Sequence, residues 1–126
     1  MRSVIISCVI LILIIITIVS SMIITNNITQ NIANSIIPLE KALKEGDAQK
    51  TLTAFDATNK LWNKNMSIYE MLYEHDEMDL IQTSFSRLEA CIKIDDFDQA
   101  QIELSQIKSM LKHLPAKDKL TPNNLF

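Results

Sequence analysis

The chain has 126 residues, a formal net charge of −3, a single glycine, three prolines and two cysteines. The acidic balance argues against nucleic acid as a partner and against a polybasic lipid-binding face. Two cysteines build no disulfide framework, and so little glycine and proline leaves no low-complexity linker.

Residues 4–24 read VIISCVILILIIITIVSSMII, 21 residues without a charge, a proline or a glycine. As a helix they extend about 30 Å, the thickness of a bilayer's hydrocarbon core. In lipid every backbone N–H and C=O must be satisfied within the segment, so a single pass has to be helical. A cleavable signal peptide would have a shorter apolar core. Val19 and Ser21 pass as the small pair before a cleavage site, but Met22, Ile23 and Ile24 continue the run, which favours an uncleaved anchor over residues 1–24. The Ile5-Ile6-Ser7-Cys8 resemblance to a lipidation box comes too early, with almost no apolar segment before it. Arg2 precedes the stretch and the next basic residue is Lys41. Positive residues stay cytoplasmic, so the expected topology is N-terminus inside and residues 25–126 outside a bacterial cell membrane. The twenty isoleucines fit an AT-rich bacterial genome.

About 100 residues remain, enough for one small domain with one core. Ile28, Ile32, Ser35/Ile36, Leu39 and Leu43 recur at three- and four-residue steps, which predicts a helix through Glu45. It either continues from the membrane with a kink at Pro38 or restarts there. The polar residues Thr25 to Asn31 suit the headgroup region. Gly46-Asp47 is a stop and start: glycine for a left-handed helix end, aspartate to cap the next helix. Leu52, Phe55, Asn59, Trp62, Met66, Tyr69 and Leu72/Tyr73 predict a second helix of about seven turns. The pattern breaks near His75. Asp76, Glu77 and Asp79 then open a third helix with the stripe Ile81, Phe85, Leu88 and Ile92. Ile94-Asp95-Asp96 ends it, and Phe97, Ala100, Leu104, Ile107, Leu111 and Leu114 form a fourth, which Pro115 is expected to stop. Residues 116–126 read as a tail.

A weak internal repeat runs at an offset of 49. Leu43-Lys44-Glu45-Gly46-Asp47, with Phe55 and Leu61-Trp62, aligns with Ile92-Lys93-Ile94-Asp95-Asp96, Leu104 and Met110-Leu111. Both copies are helix, tight turn, helix. Two such hairpins predict an all-α architecture, an N-terminal transmembrane helix followed by an antiparallel bundle of about four helices over 25–115. The core and interaction residues expected are Phe55, Trp62, Tyr69, Phe85, Phe97, Leu104 and Leu111. Equating the second helix with the fourth further predicts Trp62 packed against Phe97, Leu104, Ile107 and Leu111.

At Trp62, His75-Asp76-Glu77, Asp95-Asp96-Phe97 with Ala100, and the closing Asn123-Asn124-Leu125-Phe126, the chain resembles domain-of-unknown-function family 4363. That is a family of small bacterial proteins with one N-terminal span and a helical outer domain. The resemblance covers nearly the whole length. It implies a link to genes for multi-pass membrane proteins of equally unclear function, but no activity and no catalytic residue.

The chemistry offered by the residues themselves is sparse. Glu70, Glu74, Asp76, Glu77 and Asp79 surround His75 without a basic neighbour. Glu74, His75 and Glu77 are therefore the candidates for a weak calcium or magnesium site, although the spacing matches no calcium loop. The competing role for these residues is helix capping and dipole complementation. His113, before Pro115, suits a helix C-terminus in the same way. Trp62, Tyr69 and Tyr73 would line a small-molecule pocket only if they did not form the core. There is no phosphate loop, no Cys/His metal pattern and no nucleophile motif, so neither enzymatic activity nor a cofactor is expected. In the expected topology Cys8 falls within the membrane and Cys91 outside, so the two cannot pair. Cys91 is a buried thiol or an intermolecular bridge.

Two functions compete. One is a membrane-anchored interaction domain, an accessory subunit of a larger multi-pass membrane protein. The other is an outer small-ligand sensor signalling through a partner, since only three residues precede the span. Self-association through the span would use Ser7, Cys8, Thr17, Ser20 and Ser21.

Overall fold

A computed structural model describes the backbone of residues 1–117 and the side chains of residues 1–114. It contains four helices, α1 (Arg2–Glu45), α2 (Ala48–Leu72), α3 (His75–Lys93) and α4 (Phe97–Lys117), and no strand among the described residues. The apolar stretch and the first helix of the bundle are one element. The 44 residues of α1 extend about 66 Å. Residues 4–20 are exposed along their whole length, and burial within the bundle begins in earnest at Thr25. Among the described residues α1 is the one helix long and apolar enough to cross a membrane.

Pro38 neither ends α1 nor starts a new helix; it sits inside it. Its ring and Asn34, whose carbonyl loses the N–H that proline lacks, both lie on the exposed face. Water is available to that carbonyl there, which removes most of the usual penalty. Pro115 likewise does not stop α4, which runs on to Lys117. Proline's own φ is helical and its ring restricts the residue before it, so a helix can fray out a residue or two later. The first two residues of the expected tail are therefore helical, and 118–126 lie outside the described residues.

The helices follow one another around a square. Each packs on its neighbours, α1 on α2 and α4, α3 on α2 and α4, while α1 and α3, like α2 and α4, stand across the diagonals. Consecutive helices run antiparallel, as their short connections require. The interior is one apolar cluster from Ile32 on α1 to Leu114 on α4, with Trp62, Tyr69, Phe55 and Phe85 as its largest members. Leu104 and Leu111 are buried as expected, while Phe97 is half-buried against the edge of the core.

The offset of 49 is a repeat in atomic detail. At the first turn Gly46 N–H donates to Leu43 O at 3.2 Å and Asp47 N–H to Ala42 O at 3.3 Å. At the second, Asp95 N–H donates to Ile92 O at 3.2 Å and Asp96 N–H to Cys91 O at 2.9 Å. This is the Schellman arrangement, which needs a left-handed residue. Gly46 supplies it at φ 67° and Asp95 at φ 57°. Each turn is followed by an aspartate cap: Asp47 accepts from Lys50 N–H at 3.0 Å, and Asp96 from Gln99 N–H at 3.1 Å. The buried stripes keep the same offset. Ile32, Ile36, Leu39 and Leu43 correspond to Ile81, Phe85, Leu88 and Ile92; Phe55 and Trp62 correspond to Leu104 and Leu111.

The expected stripe on α2 is wrong in part. Leu52 and Leu72 are exposed, Asn59, Met66 and Tyr73 half-buried, and the inward positions are Thr51, Phe55, Thr58, Trp62 and Tyr69. Packing around a common axis selects steps of four and three, so the seam passes through two threonines and leaves Leu52 outside it.

Candidate functional site

The side chains singled out by sequence fall into two groups, and only one of them converges. Trp62 is fully buried. Its ring stacks on Tyr69, with centroids 5.2 Å apart, and on Phe85 of α3 at 5.4 Å. Its indole Nε1–H donates to Gln82 Oε1 at 2.8 Å. Tyr73 extends the stack, tilted against Tyr69 at 5.9 Å. Phe97, Leu104, Ile107 and Leu111, the residues expected against Trp62, share or border the same apolar core. Those residues are on α4, across the diagonal from α2, and the ring partner is the neighbouring α3. Equivalence within a repeat puts two helices at opposite corners, not side by side.

Tyr69 ties this stack to α1. Its hydroxyl and Thr29 Oγ1 share a hydrogen bond of 2.7 Å across α1 and α2. Burial raises the phenol's pKa above its ordinary value, and the bond to Thr29 offsets part of that rise. Thr58 Oγ1 makes the second link between these helices, donating to Ser35 O at 3.0 Å and to Ala54 O of its own helix at 3.1 Å. Sequence patterning missed Thr29, Thr58 and Gln82. The four-three register would have placed both threonines inward, but nothing marks Gln82 as the partner of the indole.

The second group does not converge. Glu74 is the N-cap residue of α3 without a side-chain capping bond; its carbonyl accepts from Glu77 N–H at 3.1 Å and Met78 N–H at 3.3 Å. His75 is the first helical residue, and Asp76 and Glu77 occupy the first turn. Glu74, His75 and Asp76 are exposed. No group of three or more histidines, cysteines or carboxylates among the described residues is placed to hold a metal ion. His113 lies on α4, where it borders a cleft of about 140 Å³ with Leu80, Met110 and Leu114.

A larger groove, about 600 Å³, runs between the outer faces of α1 and α2. Ser35, Pro38, Ala42, Ala54 and Ala57 form its floor. At its end Lys50 bridges Glu45 and Asp47 at 3.6 Å each. Cys91 is a free, half-buried thiol. Burial, then the charges of Asp96 and Glu103, push its pKa up, which keeps it protonated and a poor nucleophile. Glu103 itself is buried; one of its oxygens accepts from Gln99 Nε2 at 3.2 Å.

The model of a domain of unknown function, DUF4363, matches residues 19–125. The chain belongs to this family. The match begins in the last turns of the apolar stretch and takes in all four bundle helices, so the DUF4363 unit is the folded bundle together with its junction to the apolar segment. No curated protein and no solved structure matches the chain.

Proposed function

We propose that this DUF4363 protein is a membrane-anchored helical interaction domain, an accessory subunit of a larger multi-pass membrane protein in a bacterial cell membrane. The observation that supports this reading is the unbroken α1. One helix carries an exposed apolar stretch at one end and four buried core residues, Ile32, Ile36, Leu39 and Leu43, at the other. Such a helix holds the bundle at a fixed height against the bilayer, which suits a docking module. The aromatic side chains that would line a ligand pocket instead fill the core. Arg2, and the absence of another basic residue before Lys41, favour the bundle outside. An impermeant thiol reagent should then label a Lys60→Cys variant in intact cells, and labelling only after lysis would reverse that topology. Purified in mild detergent from its native membrane, the tagged full-length protein should retain a multi-pass protein in fixed stoichiometry. Elution as a bare single chain at every detergent concentration would sink the accessory-subunit reading.

The sensing alternative draws its support from the groove between α1 and α2. It predicts a ligand-dependent rise in melting temperature that is lost when Ala54, in the floor of the groove, is replaced by a bulkier residue such as leucine.

A further inference from the structure

We infer that the corner between α2 and α3 is a second membrane contact, in which Met71 and Leu72 enter the outer edge of the lipid beside the end of the span. The inference rests on the anchoring reading above and adds to it a lipid-facing site on a different helix.

Three observations carry it. The first is register. The bonds Thr29 to Tyr69 and Ser35 to Thr58 align α1 and α2 as antiparallel neighbours. They place Met71 and Leu72 alongside the turns of α1 between Ser21 and Asn27, where the apolar stretch gives way to polar residues. The second is burial on α1. Of residues 4–24, Ser21 and Met22 alone are half-buried, while Ile23 and Ile24 beside them stay exposed. The bundle thus reaches down onto the apolar segment and leaves no gap between them. The third is exposure on α2. Met71 is 84% exposed and Leu72 42%. They end a helix whose inward face is otherwise filled, and they extend the exposed apolar surface of Ile23 and Ile24 sideways onto a second helix.

The rigidity of α1 turns this placement into a physical requirement. No break separates the apolar segment from the bundle, so whatever depth the segment takes, the corner takes with it. A bilayer that covers Ile24 also meets Met71 and Leu72. The neighbouring charges set the depth. Glu70, Glu74 and Asp76 lie within a few residues, and no lysine or arginine occurs between Lys64 and Arg87. Carboxylates resist the hydrocarbon and keep to the headgroup layer. The contact is therefore shallow, of the kind made by interfacial segments that sink about 5–10 Å. The acidic rim also favours a zwitterionic over an anionic lipid surface.

The test uses the full-length chain in phosphatidylcholine vesicles, with Cys8 and Cys91 replaced by alanine. One cysteine is introduced at a time, Ile24→Cys, Met71→Cys, Leu72→Cys or Ile94→Cys, and labelled with an environment-sensitive fluorophore. Ile94 is exposed in the turn at the opposite end of the bundle. Emission from the buried Trp62, recorded before labelling, verifies that each variant is folded. Lipids bearing a quencher high on the acyl chain should quench the labels at 24, 71 and 72 and leave the label at 94 unaffected, with blue-shifted emission at the first three. Quenching at 24 without quenching at 71 or 72 would overturn the second contact and leave the anchor standing. Absence of quenching at all four positions would overturn both.

Discussion

The two hairpins of the bundle are built on one plan, but they spend their inward positions differently. In α3–α4 the paired seam positions are apolar, Ile81, Phe85, Leu88 and Ile92 against Ala100, Leu104, Ile107 and Leu111, with Ser84 and Glu103 buried beside them. In α1–α2 the equivalent of Ala100 is Thr51 and that of Ile107 is Thr58, and Tyr69 reaches Thr29 near the apolar end. The second hairpin is thus held mainly by non-directional burial, which tolerates sliding. The first adds two inter-helix hydrogen bonds that define one register. A hydrogen bond contributes only about 1 kcal/mol net, but leaving its buried partner unpaired costs about 1–3 kcal/mol. Such bonds select an alignment more than they add stability. The hairpin that is joined to the membrane-length helix is also the one whose register is pinned.

The largest way to break the symmetry is at the paired positions 62 and 111. Trp62→Ala should destabilise the protein by about 3–5 kcal/mol, and Leu111→Ala by about 2–5 kcal/mol. Only the first should also disturb its neighbours' optical signature, because Trp62 stacks on Tyr69 and Phe85. Urea melts of the full-length variants in detergent, followed by near-UV circular dichroism, measure both. A Trp62→Ala protein as stable as the parent would show that the stack is dispensable.

A sharper comparison uses the two left-handed turn residues. Gly46→Ala should cost about 1 kcal/mol, because alanine strains at φ 67° although no atom obstructs its Cβ. Asp95→Gly should act in the opposite direction and stabilise by a few tenths of a kcal/mol to about 1 kcal/mol, since glycine removes the strain aspartate bears at φ 57°. Two shifts of the same sign in thermal melts would mean that the turns are not equivalent.

The smallest effect is expected where the hairpins are tied to each other. Lys108 of α4 donates to Glu40 of α1 at 2.7 Å, and Lys44 reaches the other carboxylate oxygen at 3.2 Å. Lys108 first, then Lys44, hold the Glu40 carboxyl below its ordinary value of 4.5. A depressed carboxyl pKa adds stability above the unfolded value, and that stability fades as pH falls through the folded value. Lys108→Met should cost at most about 1 kcal/mol at neutral pH, as exposed pairs do. The difference from the parent should shrink below about pH 4. A difference that persists in acid would assign it to packing of the lysine stem.

Much of this was legible in the sequence, for physical reasons that also explain the misses. Gly46-Asp47 and Asp95-Asp96 announced both turns because left-handed backbone and N-caps restrict residue choice severely. The stripes of α1, α3 and α4 were readable because apolar residues fill them. The stripe of α2 was misread at Leu52 because threonine can be inward once its hydroxyl bonds to a carbonyl, as Thr58 does with Ser35. Pro38 left continuation and restart both open because its effect depends on whether the orphaned carbonyl meets water. The partner of Trp62 could not be read, since a repeat specifies which residues are equivalent and not which helices adjoin. The acidic run at 70–79 drew attention as a metal site because composition carries no geometry; its residues spread around the start of α3.

The unbroken α1 also behaves as a shaft with an azimuth. Each residue added or removed within the apolar stretch turns the bundle by about 100° and moves it by about 1.5 Å along the axis. A bilayer is the same in every in-plane direction and responds only to the displacement. The proposed protein partner would see the rotation, because it would meet a different face of the bundle. Under the proposed anchoring, length variants of the apolar segment would therefore act as a dial whose angular setting is invisible to lipid and decisive for a protein neighbour.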